Sequence, residues 1–216
     1  MIPRHLILPD HGSLLVSTDL HGNFEDFQSL KARFFSRLEK DPDSHWLLLG
    51  DAVHGPDEQA RRDQPEFYDF EDQSFAIIEA LADLQAQHPG QIHYVLGNHD
   101  HAHVGGPKVA KFYADEARAL EDRLSPEQGE QLRGFFEQAL LAVAAPCGLL
   151  FCHGVPDEAL RDLAELDRIG LRPASLDAHA QAVLAGLLRA YGREGEVVDR
   201  LLQCLDRTHP GLDLRM

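Results

Sequence analysis

An α/β architecture, a layered sheet packed against helices, follows from two features of this chain. Short apolar runs alternate along it with longer segments of helical period. Four of the runs give way to segments rich in Asp, Asn, His and Gly, where the functional residues of an open α/β sheet gather. The first run is Leu14-Leu15-Val16, followed by apolar residues at helical spacing, Phe24, Phe27, Leu30, Phe34 and Leu38. Leu47-Leu48-Leu49 is the second strand, and the polar stretch from Pro56 to Pro65 reads as a surface loop. Phe67, Phe70, Ile77, Leu81 and Leu84 mark a helix ending near Pro89-Gly90, and Ile92 to Leu96 is the third strand. After the break at Gly105-Gly106-Pro107 comes a helix through Phe112 and Leu120. Ser125 as N-cap and Pro126 at the first helical position open another helix, expected to run to Val143. Gly148 to Cys152 is the fourth strand, and from Pro156 onward the pattern is mostly helical.

Composition narrows the function classes. A chain of 216 residues fits one domain. Its 44% hydrophobic and 26% charged content is that of an ordinary soluble protein. The formal charge of −16, without any Lys/Arg cluster, argues against an extended nucleic-acid-binding surface. It leaves phosphorylated substrates open, because bound cations would supply local positive charge. The three cysteines, Cys147, Cys152 and Cys204, lack metal-site spacing and read as free thiols in a reducing compartment. The N-terminus lacks the layout of a signal peptide, and no apolar run is long enough to span a bilayer. A cytoplasmic protein is expected.

The four strand-end segments carry the chemistry. They are Ser17-Thr18-Asp19-Leu20-His21-Gly22-Asn23, Gly50-Asp51-Ala52-Val53-His54-Gly55, Gly97-Asn98-His99-Asp100 and Cys152-His153-Gly154. Carboxylate, imidazole and amide side chains are ligands for hard-to-borderline divalent cations. Asp19 and His21 are two residues apart, so an extended backbone would put both on one face to grip a single cation. Asp51 is a candidate bridge, with one oxygen for each of two cations, while Asn98 and His153 would serve the second. Two cations ~3.5–4 Å apart clamp a phosphoryl oxygen during in-line attack. His101 and His103, in the same His-rich loop, are expected to face solvent.

The order Asp-x-His-Gly, Gly-Asp-x-x, Gly-Asn-His-Asp, His-Gly resembles the calcineurin-like metallophosphoesterase superfamily, and within it most the phosphoprotein (Ser/Thr) phosphatases. The resemblance covers roughly residues 13 to 160. It implies a layered sandwich of β-sheet flanked by helices, with a helical C-terminal part, and two divalent metal ions. Manganese is expected first, with iron and zinc as alternatives. By the resemblance, Asp19, His21 and Asp51 are ligands of one metal, and Asp51, Asn98 and His153 of the other. His99 is then the acid that protonates the leaving oxygen, held cationic by the adjacent Asp100 or another carboxylate.

Two departures stand out. The family's Gly-Asp-x-x-Asp-Arg-Gly appears here as Gly50-Asp51-Ala52-Val53-His54-Gly55-Pro56, with neither the second aspartate nor the arginine; Arg61 or Arg62 would have to reach inward. No Gly-His-x-His closes the site, and His209 is a poor substitute because it follows a helical segment. Residues 1–216 are therefore expected to be a single domain ending before the last metal-ligand motif. The leading expectation is phosphomonoester hydrolysis, on phosphoserine or phosphothreonine. The alternatives are hydrolysis of a dinucleoside polyphosphate or other nucleotide, and a metal-holding regulatory module without turnover.

Overall fold

The structure, a computed structural model, describes residues 2–189 and 192–214. Two three-stranded sheets form its centre. Strands β1 (His5–Ile7) and β2 (Leu14–Ser17) fall in different sheets. Helix α1 (Phe24–Leu38) leads from β2 to β3 (His45–Leu48), and short helices α2 (Glu58–Asp63) and α3 (Pro65–Tyr68) precede α4 (Ser74–Gln87). After β4 (Ile92–Tyr94) come α5 (Asn98–His101), α6 (Glu116–Glu121), α7 (Pro126–Glu137), β5 (Ala142–Ala145) and β6 (Leu149–Phe151). Helices α8 (Ala178–Leu188) and α9 (Gly195–Thr208) complete the described chain. One sheet has the order β2-β3-β4, all parallel, and the other β1-β5-β6, with β1 and β5 parallel and β6 antiparallel.

Side-chain alternation explains the layering. On β3, Trp46 and Leu48 point into the larger core, while Leu47 joins a second cluster. On β5, Ala142 and Ala144 belong to the larger core and Val143 and Ala145 to the second cluster. Leu47, Val95, Val143, Leu8 and Ala145 thus fill the seam between the sheets. Helices α1, α4 and α7 cover the larger core, with Phe27 and Phe34 of α1 each 5.8 Å from the Trp46 ring. β3 and β5 are buried on both faces, so they read as continuous apolar runs and not as alternating ones.

Several boundaries differ from the sequence reading. Residues 56–65 are not a loop throughout: Asp57 caps α2 through the amide of Ala60 at 2.7 Å, and Pro65 opens α3. Neither helix buries a residue, so neither carries an apolar period. Phe67 is 68% exposed on α3, and the long helix starts only at Ser74. Phe112 precedes α6, whose cap is Asp115. The helix capped by Ser125 has the expected capping box but ends at Glu137. Ala142–Ala145, expected in that helix, is a strand because pairing with β1 and β6 overrides alanine's helix preference. The cysteines are free thiols, and among the described residues no helix is long and apolar enough to cross a membrane.

Candidate metal centre

Each motif leaves the carboxyl end of its strand: residues 18–23 follow β2, 49–55 follow β3, 97–100 follow β4 and 152–154 follow β6. The first two loops run side by side, with the amides of Asp19, His21 and Gly22 donating to the carbonyls of Gly50, Asp51 and Ala52 at 2.9–3.1 Å. Close backbone approach accounts for the glycines. A Cβ on Gly50 would lie 2.4 Å from the Gly97 nitrogen, and one on Gly97 would lie 2.1 Å from Asp51 Oδ1.

Asp19, His21, Asp51 and His54 adopt left-handed backbone conformations, with φ of 55°, 44°, 54° and 71°. Only one other non-glycine residue among those described, Asp213, has positive φ. Such conformations cost about 1–3 kcal/mol each and concentrate at functional sites. The Asp19–His21 segment is therefore not extended, as its spacing suggested, yet both side chains turn to one side, with His21 Nε2 3.5 Å from Asp19 Oδ1.

Around Asp51 the ligand candidates converge. His153 Nε2 lies 3.4 Å from Asp51 Oδ2 and 2.9 Å from Asn98 Oδ1. His21, Asp51 and His99 offer donor atoms within 4.8 Å of one another. Ligands held at ~2.1 Å around one cation lie about 3.0–3.4 Å apart, so the separations of His153 from Asp51 and Asn98 suit shared coordination. The rings are also oriented for it. His21 Nδ1 is 3.1 Å from the Val53 carbonyl and His153 Nδ1 is 2.7 Å from that of Leu49. A carbonyl accepts only from N–H, which fixes the proton on Nδ1 and leaves Nε2 free for a metal. Asp51 differs from the bridge expected of it. Its Oδ1 accepts from the His99 amide at 2.9 Å, so only Oδ2 faces the site, and a bridge would run through that one oxygen.

The electrostatics call for positive charge. Burial, then the nearby Asp100, push the Asp51 carboxyl above its ordinary range. The contact with His21 holds Asp19, at the exposed rim, down to about 2. Asp100 does not hold His99. Its Oδ2 accepts from the amides of Gly97 (2.8 Å) and Asp51 (2.9 Å) and from the Tyr94 hydroxyl (2.7 Å). It ties the ends of β3 and β4 together.

His99 contacts residues the sequence did not single out. Its Nδ1 is 2.9 Å from Glu116 Oε2 and 3.0 Å from His54 Nδ1, while Nε2 faces Asp51 Oδ2 at 4.0 Å. His54 Nδ1 is 3.3 Å from the same Glu116 oxygen, and its Nε2 meets His103 Nε2 at 2.9 Å. His103 Nδ1 continues to Glu121 at 2.7 Å. Burial would raise the Glu116 carboxyl, but its contacts with His54 and His99 outweigh burial and hold it below the usual carboxylate range. His101 and His103 are buried, contrary to expectation: His101 bonds the Leu171 carbonyl, and His103 joins the His54 cluster. Arg61 and Arg62 pair with Glu71 and Glu58, and His209 pairs with Asp162, so each of the three has a partner elsewhere.

Beside Asn98 opens a cleft of about 640 Å³, also lined by His101, Lys108, Gln181, Leu184 and Arg189. Lys108 pairs with Asp115 at 2.6 Å, whereas Arg189 has no carboxylate partner among the described residues.

Comparison with known proteins bears on the fold and the family. A protein serine/threonine phosphatase from Saccharomyces cerevisiae with similarity to human phosphatase PP5 superposes with a TM-score of 0.57 at 18% identity, over 90% of this chain and 55% of its own. The cold-active protein-tyrosine phosphatase of a psychrophilic Shewanella species gives a TM-score of 0.53 at 16% identity, over 94% of this chain and 65% of its own. The chain thus spans between half and two thirds of these structures, and the likeness is one of fold. No curated protein sequence matches it. The model of the calcineurin-like phosphoesterase family matches residues 12–197, which include all the converging side chains. The chain belongs to the calcineurin-like phosphoesterase family.

Proposed function

We propose that residues 1–216 form a single domain that hydrolyses phosphomonoesters with two divalent cations. One observation carries the reading: His153 Nε2, freed for a metal by its Nδ1 contact with Leu49, lies beside both Asp51 Oδ2 and Asn98 Oδ1. Asp19, His21 and Asp51 would hold one cation, and Asp51, Asn98 and His153 the other. When bound, the cations polarise the phosphoryl group and activate a water. Manganese is the cation proposed, and the three free thiols fit a reducing, cytoplasmic setting.

The remaining steps belong to side chains. As the water oxygen bonds to phosphorus and gives up a proton to solvent, the bond to the leaving oxygen breaks with its electron pair, His99 Nε2–H gives that oxygen a proton, and His99 regains one from solvent. His99→Ala should lower kcat by about 10²–10⁴-fold with both metals still bound, measured by steady-state kinetics beside elemental analysis. Equal loss of metal would remove the acid role. Arg189, at the cleft wall, would meet substrate phosphate. Arg189→Ala should raise KM several-fold at nearly constant kcat, as loss of uniform binding does; an unchanged KM would exclude that contact.

Phosphoserine and phosphothreonine in proteins are the proposed substrates, in keeping with the serine/threonine phosphatase of similar fold. Rates on phosphoserine, phosphothreonine and phosphotyrosine peptides and on diadenosine tetraphosphate, with added manganese, test this. Fastest turnover of phosphotyrosine or of the dinucleotide would reassign the substrate, and background rates on all would reject the enzyme.

A further inference from the structure

We infer that Glu116 is the positioning residue of His99, gripping its Nδ1 from a separate helix so that Nε2 is aimed at the metal centre. The inference rests on His99 being the acid of the proposed reaction. Glu116 is 1% exposed and sits in the first turn of α6. Its two oxygens have separate tasks. Oε1 accepts from the amides of Lys111 (3.1 Å) and Phe112 (2.7 Å), which fixes the carboxylate against the backbone. Oε2 is fully buried and, among the described residues, has no aligned hydrogen bond, with His99 Nδ1 and His54 Nδ1 lying 2.9 and 3.3 Å away. A buried carboxylate left without N–H partners is strongly unfavourable, so the oxygen needs at least one Nδ1–H, and the nearer ring, His99, is the one assigned to supply it. For His99 this leaves Nε2 facing Asp51. His54 Nδ1 lies 3.3 Å from the same oxygen, and its Nε2 meets His103 Nε2 at 2.9 Å.

Glu116→Gln tests the assignment with little change of shape. A glutamine can keep an acceptor on the Lys111 and Phe112 amides, but it then offers His99 an N–H where Nδ1–H needs an acceptor. With p-nitrophenyl phosphate and a phosphoserine peptide as substrates, kcat on the peptide should fall about 10²-fold with KM within threefold. The loss on p-nitrophenyl phosphate should be at least about tenfold smaller, because its leaving oxygen needs little protonation. Metal content should stay at the wild-type value. Equal losses on both substrates, or no loss, would overturn the inference. So would a wild type holding three metals per chain that drops to two in the variant, which would make His54, His99 and Glu116 a metal site of their own. A second readout does not need turnover. In long-range ¹H–¹⁵N spectra of the zinc-loaded full chain, His99 Nδ1 should carry a proton in the wild type and lose it in Glu116→Gln. A bare Nδ1 in the wild type would refute the positioning role even for a protein that hydrolyses neither substrate. Failure of hydrolysis with the Nδ1 proton present would instead count against the proposed function.

Discussion

Asp51→Asn is expected to abolish occupancy of at least one metal position and to lower kcat/KM on an aryl phosphate by about 10³-fold, several kcal/mol of transition-state stabilisation. Asp51 is 3% exposed at the centre of the converging donors. Its Oδ1 is committed to the His99 amide, and asparagine can keep that bond. Oδ2 is the oxygen turned to His153, and replacing it with a neutral amide removes the charge two cations would share. The same change should not weaken the metal-free fold. Burial and Asp100 raise Asp51 above its ordinary 3.8, so the folded protein binds this proton more tightly than the unfolded chain. For a raised carboxyl, the associated stability is full below 3.8 and is lost as pH rises through the folded value. Chelated wild type should therefore lose stability over that interval, and chelated Asp51→Asn should not. Urea midpoints at stepped pH decide this, and parallel curves for the two proteins would contradict it.

Asp100→Ala should produce the largest loss of stability, about 3–5 kcal/mol in urea unfolding of the metal-free protein. Asp100 is fully buried, and its Oδ2 receives the Gly97 amide, the Asp51 amide and the Tyr94 hydroxyl. Burial, then Asp100 itself, keep the Tyr94 hydroxyl protonated well above its ordinary range, so it remains a donor. Alanine would leave three buried donors without an acceptor. Because two of those donors fix the backbone of Gly97 and Asp51, metal affinity should also drop by about 10–100-fold, as for other groups that support metal ligands. A stability change below about 1 kcal/mol would show that Asp100 is not the tie between β3 and β4.

The strands that carry the motifs were legible because each is a short apolar run that gives way to a segment rich in Asp, Asn, His or Gly. Helices α1 and α7 were legible from apolar spacing and, for α7, from Ser125 and Pro126. β1 and β5 were not. β1 has three residues, too few for a period, and Ala142-Val143-Ala144-Ala145 carries no local strand preference until β1 and β6 pair with it. The converging donors were legible because Asp19, His21, Asp51, Asn98 and His153 each lie within a few residues of the carboxyl end of a strand. The surroundings of His99 were not. Glu116 lies in sequence beside Asp115, which caps α6, and reads as an ordinary acidic first-turn residue. Its partnership with His99 arises only where α6 packs beside α5. Of the two options for His99, Asp100 or another carboxylate, adjacency favours Asp100, but the first turn of α5 points its carboxylate back to Gly97 and Asp51 and leaves His99 to Glu116.

Metal capture by the converged side chains is the claim on which the rest depends. Elemental analysis of the full chain after manganese loading and desalting tests it, with Asp51→Asn carried through the same steps. Two ions per wild-type chain and fewer than one per variant chain are predicted. Equal, near-zero retention by both proteins would contradict the account.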